Sequence, residues 1–364
     1  MPGLGETVFD LAELRRVRDT MMANLAEPGR LTLVAPSGTN PGALRMLTYV
    51  PPGLPAGAPL VVVLHGCTQN AAAYDHGSGW SALADRHGFA LLFPEQERAN
   101  NPNLCFNWFQ TADVTRGEGE VLSIRQMIGQ MIALHSLSPH RVYITGLSAG
   151  GAMTAAMLAT YPEVFAGGAI IAGLPYGAAD SMQEAFNAMH NVRQRSAREW
   201  GDLVRAASPH RGPWPHVQIW HGEADAVVRE GNARELIKQW ADVHGVRESA
   251  FEDRVEGAFH KVWRGPAGNV VLESYLIPGL AHGTPLHTGA DDMDQSMGFV
   301  APHMLEAGIS STWYVARSWG LLTQVARPRR AAKLRAPQPL PLGDQVGGVI
   351  ETALRTAGLY PKGG

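Results

Sequence analysis

Cysteine is scarce in this sequence, and its scarcity excludes several classes of protein. The 364 residues include two cysteines, Cys67 and Cys105. Two thiols cannot form a disulfide-rich scaffold or a four-cysteine zinc site. No group of histidines and acidic residues has the spacing of zinc ligands, and no glycine-rich phosphate loop follows a first strand. The sequence therefore predicts neither a metal nor a cofactor.

A dominant charge and a long apolar run are also missing. Charged residues make up 17% of the chain, and the formal net charge is −3 at pH 7. This balance argues against nucleic acid as a partner. No apolar run approaches the roughly 20 residues of a membrane-spanning helix, and the amino terminus lacks a basic start followed by an apolar segment. We therefore expect a cytoplasmic protein, or a secreted or periplasmic one if a leader precedes this sequence in the natural chain.

Three parts are predicted along the chain. Residues 1–30 predict an amphipathic helix whose apolar stripe includes Leu11 and Leu14. Residues 31–322 carry the strand and helix patterns of one large domain, for which the length is sufficient. Residues 323–364 are a basic, proline-containing tail with a short helix pattern near its end. We expect the first helix to dock on its own domain and the tail to be solvated.

Strand patterns alternate with helix patterns in the main domain, as is typical of α/β proteins. Residues 60–64 and 141–145 are short apolar runs of the kind found in buried parallel strands. Residues 31–35 and 45–50 predict two strands joined by a turn, and therefore an antiparallel start to the sheet. The predicted fold class is α/β, with a doubly wound, mostly parallel sheet.

Three other segments stand out. Residues 94–115 are long, irregular and rich in aromatic side chains, which favours an ordered functional loop. Residues 180–207 are polar and mostly helical in pattern, which indicates a lid or an insertion. Residues 301–322 predict a closing helix.

A serine between two glycines follows the strand at residues 141–145. A tight turn at this point would lift the Ser148 hydroxyl out of the sheet, and Gly146 and Gly150 would leave room for strand and helix. The helix that follows would place the Ala149 amide, and a positive helix dipole, where an oxyanion forms. The pattern predicts a nucleophile elbow with Ser148 as nucleophile; the alternative is an ordinary strand-to-helix turn.

The acid of such a site is expected in the loop after the strand at residues 216–220. A serine hydroxyl needs a base to take its proton, and an acid must hold that base in one tautomer. In this fold the chain order is serine, then an acidic residue, then histidine. Asp225 lies within the loop and is the candidate acid. Glu223, in the turn itself, and Glu230, in the next helix, are the alternatives.

The base is expected after the strand at residues 270–277. His282 follows that strand directly, between small residues that let the loop bend back towards Ser148. His287 stands farther along the same loop and is the alternative. His260 precedes the strand and is less suited to the role.

Six segments, taken in chain order, carry a family resemblance: residues 65–80, 93–96, 100–109, 146–153, 221–228 and 278–285. Together they resemble the polyhydroxybutyrate (PHB) depolymerase family of esterases, a branch of the α/β-hydrolases close to feruloyl and acetylxylan esterases. The resemblance extends over roughly residues 31–322. It implies a triad of Ser148, Asp225 and His282, and an oxyanion hole formed by the Ala149 and Cys67 amides.

The same resemblance bears on the substrate groove. It implies that Trp108 lies in the groove, with Asn107 and His65 as further substrate-binding residues. The polar neighbours of Trp108 favour a partly exposed ring. A disulfide between Cys67 and Cys105 would fix the aromatic loop against the oxyanion turn, which fits the family; two reduced thiols are the alternative in a cytosolic protein.

The predicted activity is that of a serine esterase acting on an ester or polyester. Secreted members of the family usually carry a signal peptide and a polymer-binding module, and this sequence shows neither. Soluble hydroxybutyrate oligomers or short-chain esters are therefore expected rather than crystalline polymer. The alternatives are a feruloyl- or acetylxylan-type carbohydrate esterase and, outside enzymes, a granule- or partner-binding protein with an inactive hydrolase fold.

Overall fold

The apolar runs of the sequence form the middle of a ten-stranded sheet. The computed structural model describes residues 29–289 and 295–322. The strands of this sheet are β1 Thr32–Val34, β2 Arg45–Tyr49, β3 Leu60–Leu64, β4 Ala90–Glu95, β5 Val142–Leu147, β6 Gly167–Ile171, β7 His216–Gly222, β8 Phe251–Val255, β9 Ala258–Arg264 and β10 Val270–Ile277.

The strands lie in the order β1-β2-β4-β3-β5-β6-β7-β10-β9-β8. The six from β4 to β10 in this order run parallel to one another. β1 and β2 are antiparallel at one edge, and β9 and β8 are antiparallel at the other. The predicted α/β fold, with a mostly parallel sheet and an antiparallel start, is confirmed.

Helices cover both faces of the sheet. They are α1 Ala71–Ser78, α2 Trp80–His87, α3 Thr111–Val114, α4 Gly119–His135, α5 Ala149–Thr160, α6 Met182–Asn191, α7 Ala197–Ala206, α8 Gly231–His244 and α9 Ser311–Ser318, with a 3-10 helix at Pro162–Val164. Alternate side chains of a strand point to opposite faces, and β3 shows the consequence. Val62 and Leu64 pack in one apolar cluster with α4, α5, α7 and α8, whereas Val61 and Val63 pack in a second cluster with α1, α2 and α9.

The carboxyl-terminal part of the domain differs from the prediction. The helix predicted over residues 301–322 is limited to α9, and a strand β12, Met304–Glu306, precedes it. β12 pairs in parallel with β11, Thr284–Leu286. Gly308 has a positive φ of 67°, which a continuous helix does not accommodate.

Two other features escaped the sequence analysis. The helices α1 and α2 follow β3, and the hairpin of β8 and β9 lies at the sheet edge. Its two-residue turn is Glu256 and Gly257, both with positive φ. Such a turn usually carries asparagine or aspartate at its first position, so glutamate gave no signal.

The segment at residues 180–207 contains α6 and α7. The Trp200 indole N–H on α7 donates to Glu235 Oε2 on α8 at 2.7 Å, which anchors the segment to the main domain. Its role as a lid remains a prediction. The helix predicted in residues 1–30 and the tail at residues 323–364 lie outside the described part of the chain, apart from residues 29 and 30. Within the described ranges, no helix has the length and apolar character needed to cross a membrane.

Candidate active site

Ser148 occupies the turn between β5 and α5 in a conformation that few side-chain-bearing residues adopt. Its φ and ψ are 57° and −116°. The glycines on either side of it allow the turn to close. A Cβ on Gly150 would lie 2.4 Å from the Leu64 carbonyl oxygen, and one on Gly146 would lie 2.4 Å from the Gly150 carbonyl oxygen. Any side chain at these positions would push the elbow away from β3.

Three polar side chains meet above this turn, at the carboxyl ends of parallel strands. Asp225 follows β7, and His282 follows β10. The His282 Nδ1–H donates to Asp225 Oδ2 at 2.7 Å. The Ser148 hydroxyl lies 2.9 Å from His282 Nε2, which is then free to accept its proton. This is the geometry in which an imidazole can act as a general base towards a hydroxyl.

Asp225 is held as a carboxylate by the groups around it. Its Oδ1 accepts the backbone N–H groups of Val227 and Val228 at 2.9 and 2.8 Å. Burial alone would raise the pKa of Asp225, but its contacts with His221 and His282 outweigh it and lower that pKa well below its usual range. The acid therefore stays ionised and can stabilise an imidazolium at His282.

His221, at the end of β7, is a neighbour of the acid that the sequence analysis did not identify. Its Nε2–H donates to the Val228 carbonyl at 2.8 Å and lies 3.4 Å from Asp225 Oδ2. The available signal was its place beside Gly222 at the end of a strand.

The loop that carries His282 is held from the carboxyl-terminal side. The His303 Nδ1–H donates to the His282 carbonyl at 3.1 Å, and the Thr284 N–H donates to the His303 carbonyl at 2.8 Å. The two imidazole rings meet edge to face, 5.7 Å between centroids. The β11–β12 pairing thus fixes the candidate base in place, a contact that sequence patterns did not indicate.

The alternative acids and bases lie elsewhere. Glu223 is exposed, and Glu230 pairs with Arg234. His287 Nδ1 lies 3.9 Å from Glu306 Oε1. His260 is held between Asp253 and Glu273, at 2.9 and 3.1 Å. The structure places none of these four side chains in hydrogen-bond contact with Ser148, and the described residues include no group of histidine, cysteine or acidic side chains arranged to hold a metal ion.

Two backbone amides are the candidates for stabilising an oxyanion at Ser148. Ala149 is the first residue of α5, so its N–H has no carbonyl partner within the helix. Cys67 lies in the turn after β3, which we call the oxyanion turn, residues 65–69. A Cβ on Gly66 would lie 3.5 Å from the Leu147 carbonyl oxygen, so this turn abuts the elbow.

The oxyanion turn is fixed by several bonds. The Gly66 N–H donates to Gln69 Oε1 at 2.8 Å, and the Thr68 N–H donates to the Asn103 carbonyl at 2.7 Å. Cys67 and Cys105 form a disulfide, one of the two alternatives that the sequence left open. The turn and the aromatic loop at residues 94–115 are therefore covalently joined.

The three predicted substrate-binding residues, Trp108, Asn107 and His65, are all buried. Trp108 is 9% exposed and belongs to an apolar core cluster, with Phe109 packed edge to face against it. The expectation of a partly exposed ring is therefore wrong, because the ring packs in the apolar core. Asn107 is buried, and its Oδ1 accepts from Asn101 Nδ2 at 3.0 Å.

His65 is also buried, with both ring nitrogens occupied. Its Nδ1–H donates to the Gly66 carbonyl at 2.8 Å, and its Nε2 accepts the Gln96 N–H at 3.1 Å. Burial lowers the pKa of His65, which keeps the ring neutral. Its contacts suit a residue that supports the oxyanion turn better than one that binds substrate.

Comparisons with known proteins agree with this chemistry. A family model described as esterase PHB depolymerase matches residues 44–261. Poly(3-hydroxyalkanoate) depolymerase C from Paucimonas lemoignei is 47% identical over 294 residues, which are 80% of this chain and 70% of that protein. Feruloyl esterase B from Neurospora crassa is 36% identical over 259 residues, 68% of this chain and 86% of that one.

A solved structure gives the same result for the fold. The acetyl xylan esterase from Aspergillus awamori superposes with a TM-score of 0.65 at 26% identity, over 70% of this chain and 94% of that one. The family match covers more than half of the chain. The chain therefore belongs to the PHB depolymerase family of esterases, and it is a carboxylic ester hydrolase with the α/β-hydrolase fold.

Proposed function

We propose that this esterase uses Ser148, His282 and Asp225 as a catalytic triad. The observation that carries the proposal is the continuous series of hydrogen bonds from Ser148 through His282 to Asp225, at 2.9 and 2.7 Å. His282 Nε2 takes the hydroxyl proton as Ser148 Oγ attacks the ester carbonyl carbon. The carbonyl oxygen becomes an oxyanion, which the Ala149 and Cys67 amides stabilise.

The reaction then follows from the position of the proton. The His282 imidazolium gives its proton to the leaving alcohol as the bond from carbonyl carbon to alcohol oxygen breaks, which leaves an acyl-enzyme on Ser148. A water molecule attacks the acyl carbon while His282 takes one of its protons. The acid is released when that proton returns to Ser148 Oγ.

The substrate class that we propose is a hydroxybutyrate-type polyester in the form of soluble oligomers, together with short-chain esters. Its support is the 47% identity to a protein named as a poly(3-hydroxyalkanoate) depolymerase. A second candidate is an ester of plant polysaccharide, which the 36% identity to a feruloyl esterase favours.

Two assays test the proposal. Hydrolysis of p-nitrophenyl butyrate by wild type and by Ser148→Ala tests the nucleophile; we expect roughly a 10³-fold or larger loss in kcat for the variant. Ser249→Ala, in the loop before β8, is a matched control and should keep wild-type activity. An active Ser148→Ala would refute the triad.

The second assay compares substrates on the wild-type enzyme. The kcat/KM for a soluble 3-hydroxybutyrate trimer should exceed that for methyl ferulate and for acetylated xylan. A preference for either plant ester would replace the first substrate class by the second, without changing the triad.

A further inference from the structure

A buried carboxyl group lies behind the oxyanion turn. Glu120, in the first turn of α4, is 1% exposed. Its Oε1 accepts Gln96 Nε2–H at 2.5 Å, and its Oε2 accepts the Asn107 backbone N–H at 2.9 Å. The proposed catalytic steps use neither Glu120 nor the two groups that donate to it. Burying a carboxyl group is costly unless hydrogen bonds compensate for it.

These hydrogen bonds belong to a network with two arms. The first arm leads from Glu120 to the oxyanion turn through Gln96. Gln96, just after β4, donates its backbone N–H to His65 Nε2 at 3.1 Å. His65 in turn donates its Nδ1–H to the Gly66 carbonyl at 2.8 Å. Gly66 precedes Cys67, so this arm ends at the peptide unit whose N–H would bind the oxyanion.

The second arm leads through the aromatic loop. The Asn107 N–H that Glu120 accepts lies two residues after Cys105, whose sulfur is bonded to Cys67. Gln96 Nε2 also donates to the Cys105 carbonyl at 3.1 Å, which joins the two arms. Both arms that start at Glu120 therefore converge on Cys67 from opposite sides.

The orientation of the Gln96 amide is fixed. Its Oε1 accepts the Glu97 N–H at 3.0 Å and Asn100 Nδ2–H at 2.9 Å, so its Nε2 must face Glu120. Each oxygen of Glu120 can accept a hydrogen bond even when the carboxyl group is protonated, whereas a glutamine at position 120 would present an NH2 group, which cannot accept, to one of two groups that are themselves donors. Either Gln96 or Asn107 would lose its acceptor at position 120, and the series of hydrogen bonds to which that residue belongs would shift.

We propose that Glu120 is a positioning residue for the oxyanion turn, acting through Gln96 and Asn107 on the Cys67 amide. The inference rests on the proposed function, since it assumes that this amide binds the oxyanion. An oxyanion donor acts mainly in the transition state, so its displacement lowers kcat and leaves substrate binding nearly unchanged.

The first test is Glu120→Gln. We expect kcat for p-nitrophenyl butyrate to fall roughly 10- to 100-fold, part of the 10²- to 10³-fold effect of losing an oxyanion donor, with KM within about threefold of wild type. The affinity for phenylboronic acid, which forms a tetrahedral adduct with the Ser148 oxygen, should fall with kcat. Circular dichroism and a melting curve establish that the variant is folded.

Ser123→Ala is the matched control. Ser123 is fully buried on the next turn of α4, and its hydroxyl accepts the Gly42 N–H at 2.8 Å, a bond that involves none of Glu120, Gln96 and Asn107. It should lose stability without a change in kcat or in boronic acid affinity. Gln96→Met cuts the same bond from the other side, and it replaces Glu120→Gln if that variant does not fold.

Two results would overturn the inference: an unchanged kcat in folded Glu120→Gln, or a fall in kcat that is matched by an equal rise in KM. An inactive wild type, or an active Ser148→Ala, would instead refute the proposed function.

Discussion

At the scale of single residues, Ser148 combines a strained backbone with a chemically useful position. A positive φ at a residue with a side chain costs on the order of 1–3 kcal/mol, and Ser148 has a φ of 57°. Close packing of the elbow against β3 offsets that cost. The strain turns the hydroxyl towards His282, where the hydrogen bond of 2.9 Å forms.

The choice of base gives the first prediction. His282→Ala should lower kcat roughly 10³-fold or more, because His282 is the imidazole that contacts Ser148 and can take its proton. His287→Ala should stay within about twofold of wild type, since His287 contacts Glu306 instead. Steady-state kinetics with p-nitrophenyl butyrate measures both, and the opposite ranking would reject the assignment.

The second prediction concerns Trp108. Because its ring is buried in the apolar core, Trp108→Ala should lower the free energy of unfolding by about 3–5 kcal/mol. Trp214→Ala, at a less buried tryptophan, is the control and should cost less. Urea unfolding measures the difference.

Trp108→Ala also tests the expectation that Trp108 lies in the substrate groove. The ratio of kcat/KM for a hydroxybutyrate trimer to kcat/KM for p-nitrophenyl acetate should match wild type. A wild-type melting temperature together with a lower ratio would show that Trp108 lies in the substrate groove.

At the scale of elements, the approach of α5 to β3 decides where the elbow lies. A Cβ on Gly150 would lie 2.4 Å from the Leu64 carbonyl oxygen and 2.5 Å from that of His65. Both atoms belong to the backbone at the end of β3, which leads directly into the oxyanion turn. The clash would therefore separate Ser148 from the oxyanion turn.

Gly150→Ala is the third prediction. We expect a loss of activity of at least tenfold together with a lower melting temperature, because backbone atoms must move. Gly129→Ala, within α4, is the matched control, since the nearest atom to its Cβ would be a flexible arginine nitrogen, Arg125 Nη1, at 3.4 Å. It should stabilise the helix by about 0.5–1 kcal/mol. Equal behaviour of the two variants would contradict the packing argument.

At the scale of the whole molecule, two buried groups make stability depend on pH near neutrality. Burial, with the nearby Asp113 carboxylate, raises the pKa of Glu120 to about 8 from its ordinary value of 4.5. The folded protein thus keeps a proton that the unfolded chain has released, and stability falls as pH rises from about 4.5 to about 8. His260 adds to this fall above pH 6.5, because its pKa is raised: burial opposes protonation, but Glu273 and Asp253 outweigh it.

A third group acts in the opposite direction at lower pH. Burial and the neighbouring His216 lower the pKa of His244 to about 4. Its contribution to stability is present above the unfolded pKa of about 6.5 and is lost as pH falls towards 4. It therefore offsets the Glu120 effect below pH 6.5 and leaves the fall above that pH visible.

The fourth prediction follows from these signs. Between pH 6.5 and pH 8 the proton that Glu120 keeps only in the folded protein is gradually lost, which should lower the free energy of unfolding by roughly 1.5 kcal/mol. Glutamine does not titrate, so Glu120→Gln should show a fall that is smaller by this amount. Urea unfolding at the two pH values measures it, and parallel pH dependence in the two proteins would show that Glu120 does not change its charge in this range.

The local patterns of the sequence determined the fold class and indicated the candidate site. Apolar runs such as residues 60–64 predict buried strands because such runs have no stable solvent-exposed form, and their alternation with helices defines the fold class. The chain order of Ser148, Asp225 and His282, each at the end of a strand, indicated the site because the carboxyl ends of parallel strands meet at one edge of the sheet.

Only the tertiary structure decided which side chains are buried and what they contact. Trp108 lies among polar neighbours in the sequence, yet the fold turns its ring into the core. Glu120 and His303 contact the surroundings of the site through residues 24 and 21 positions away. Such contacts leave no local pattern, because they depend on where distant loops meet after the sheet has formed, whereas strands and turns are set by the periodicity of their own residues.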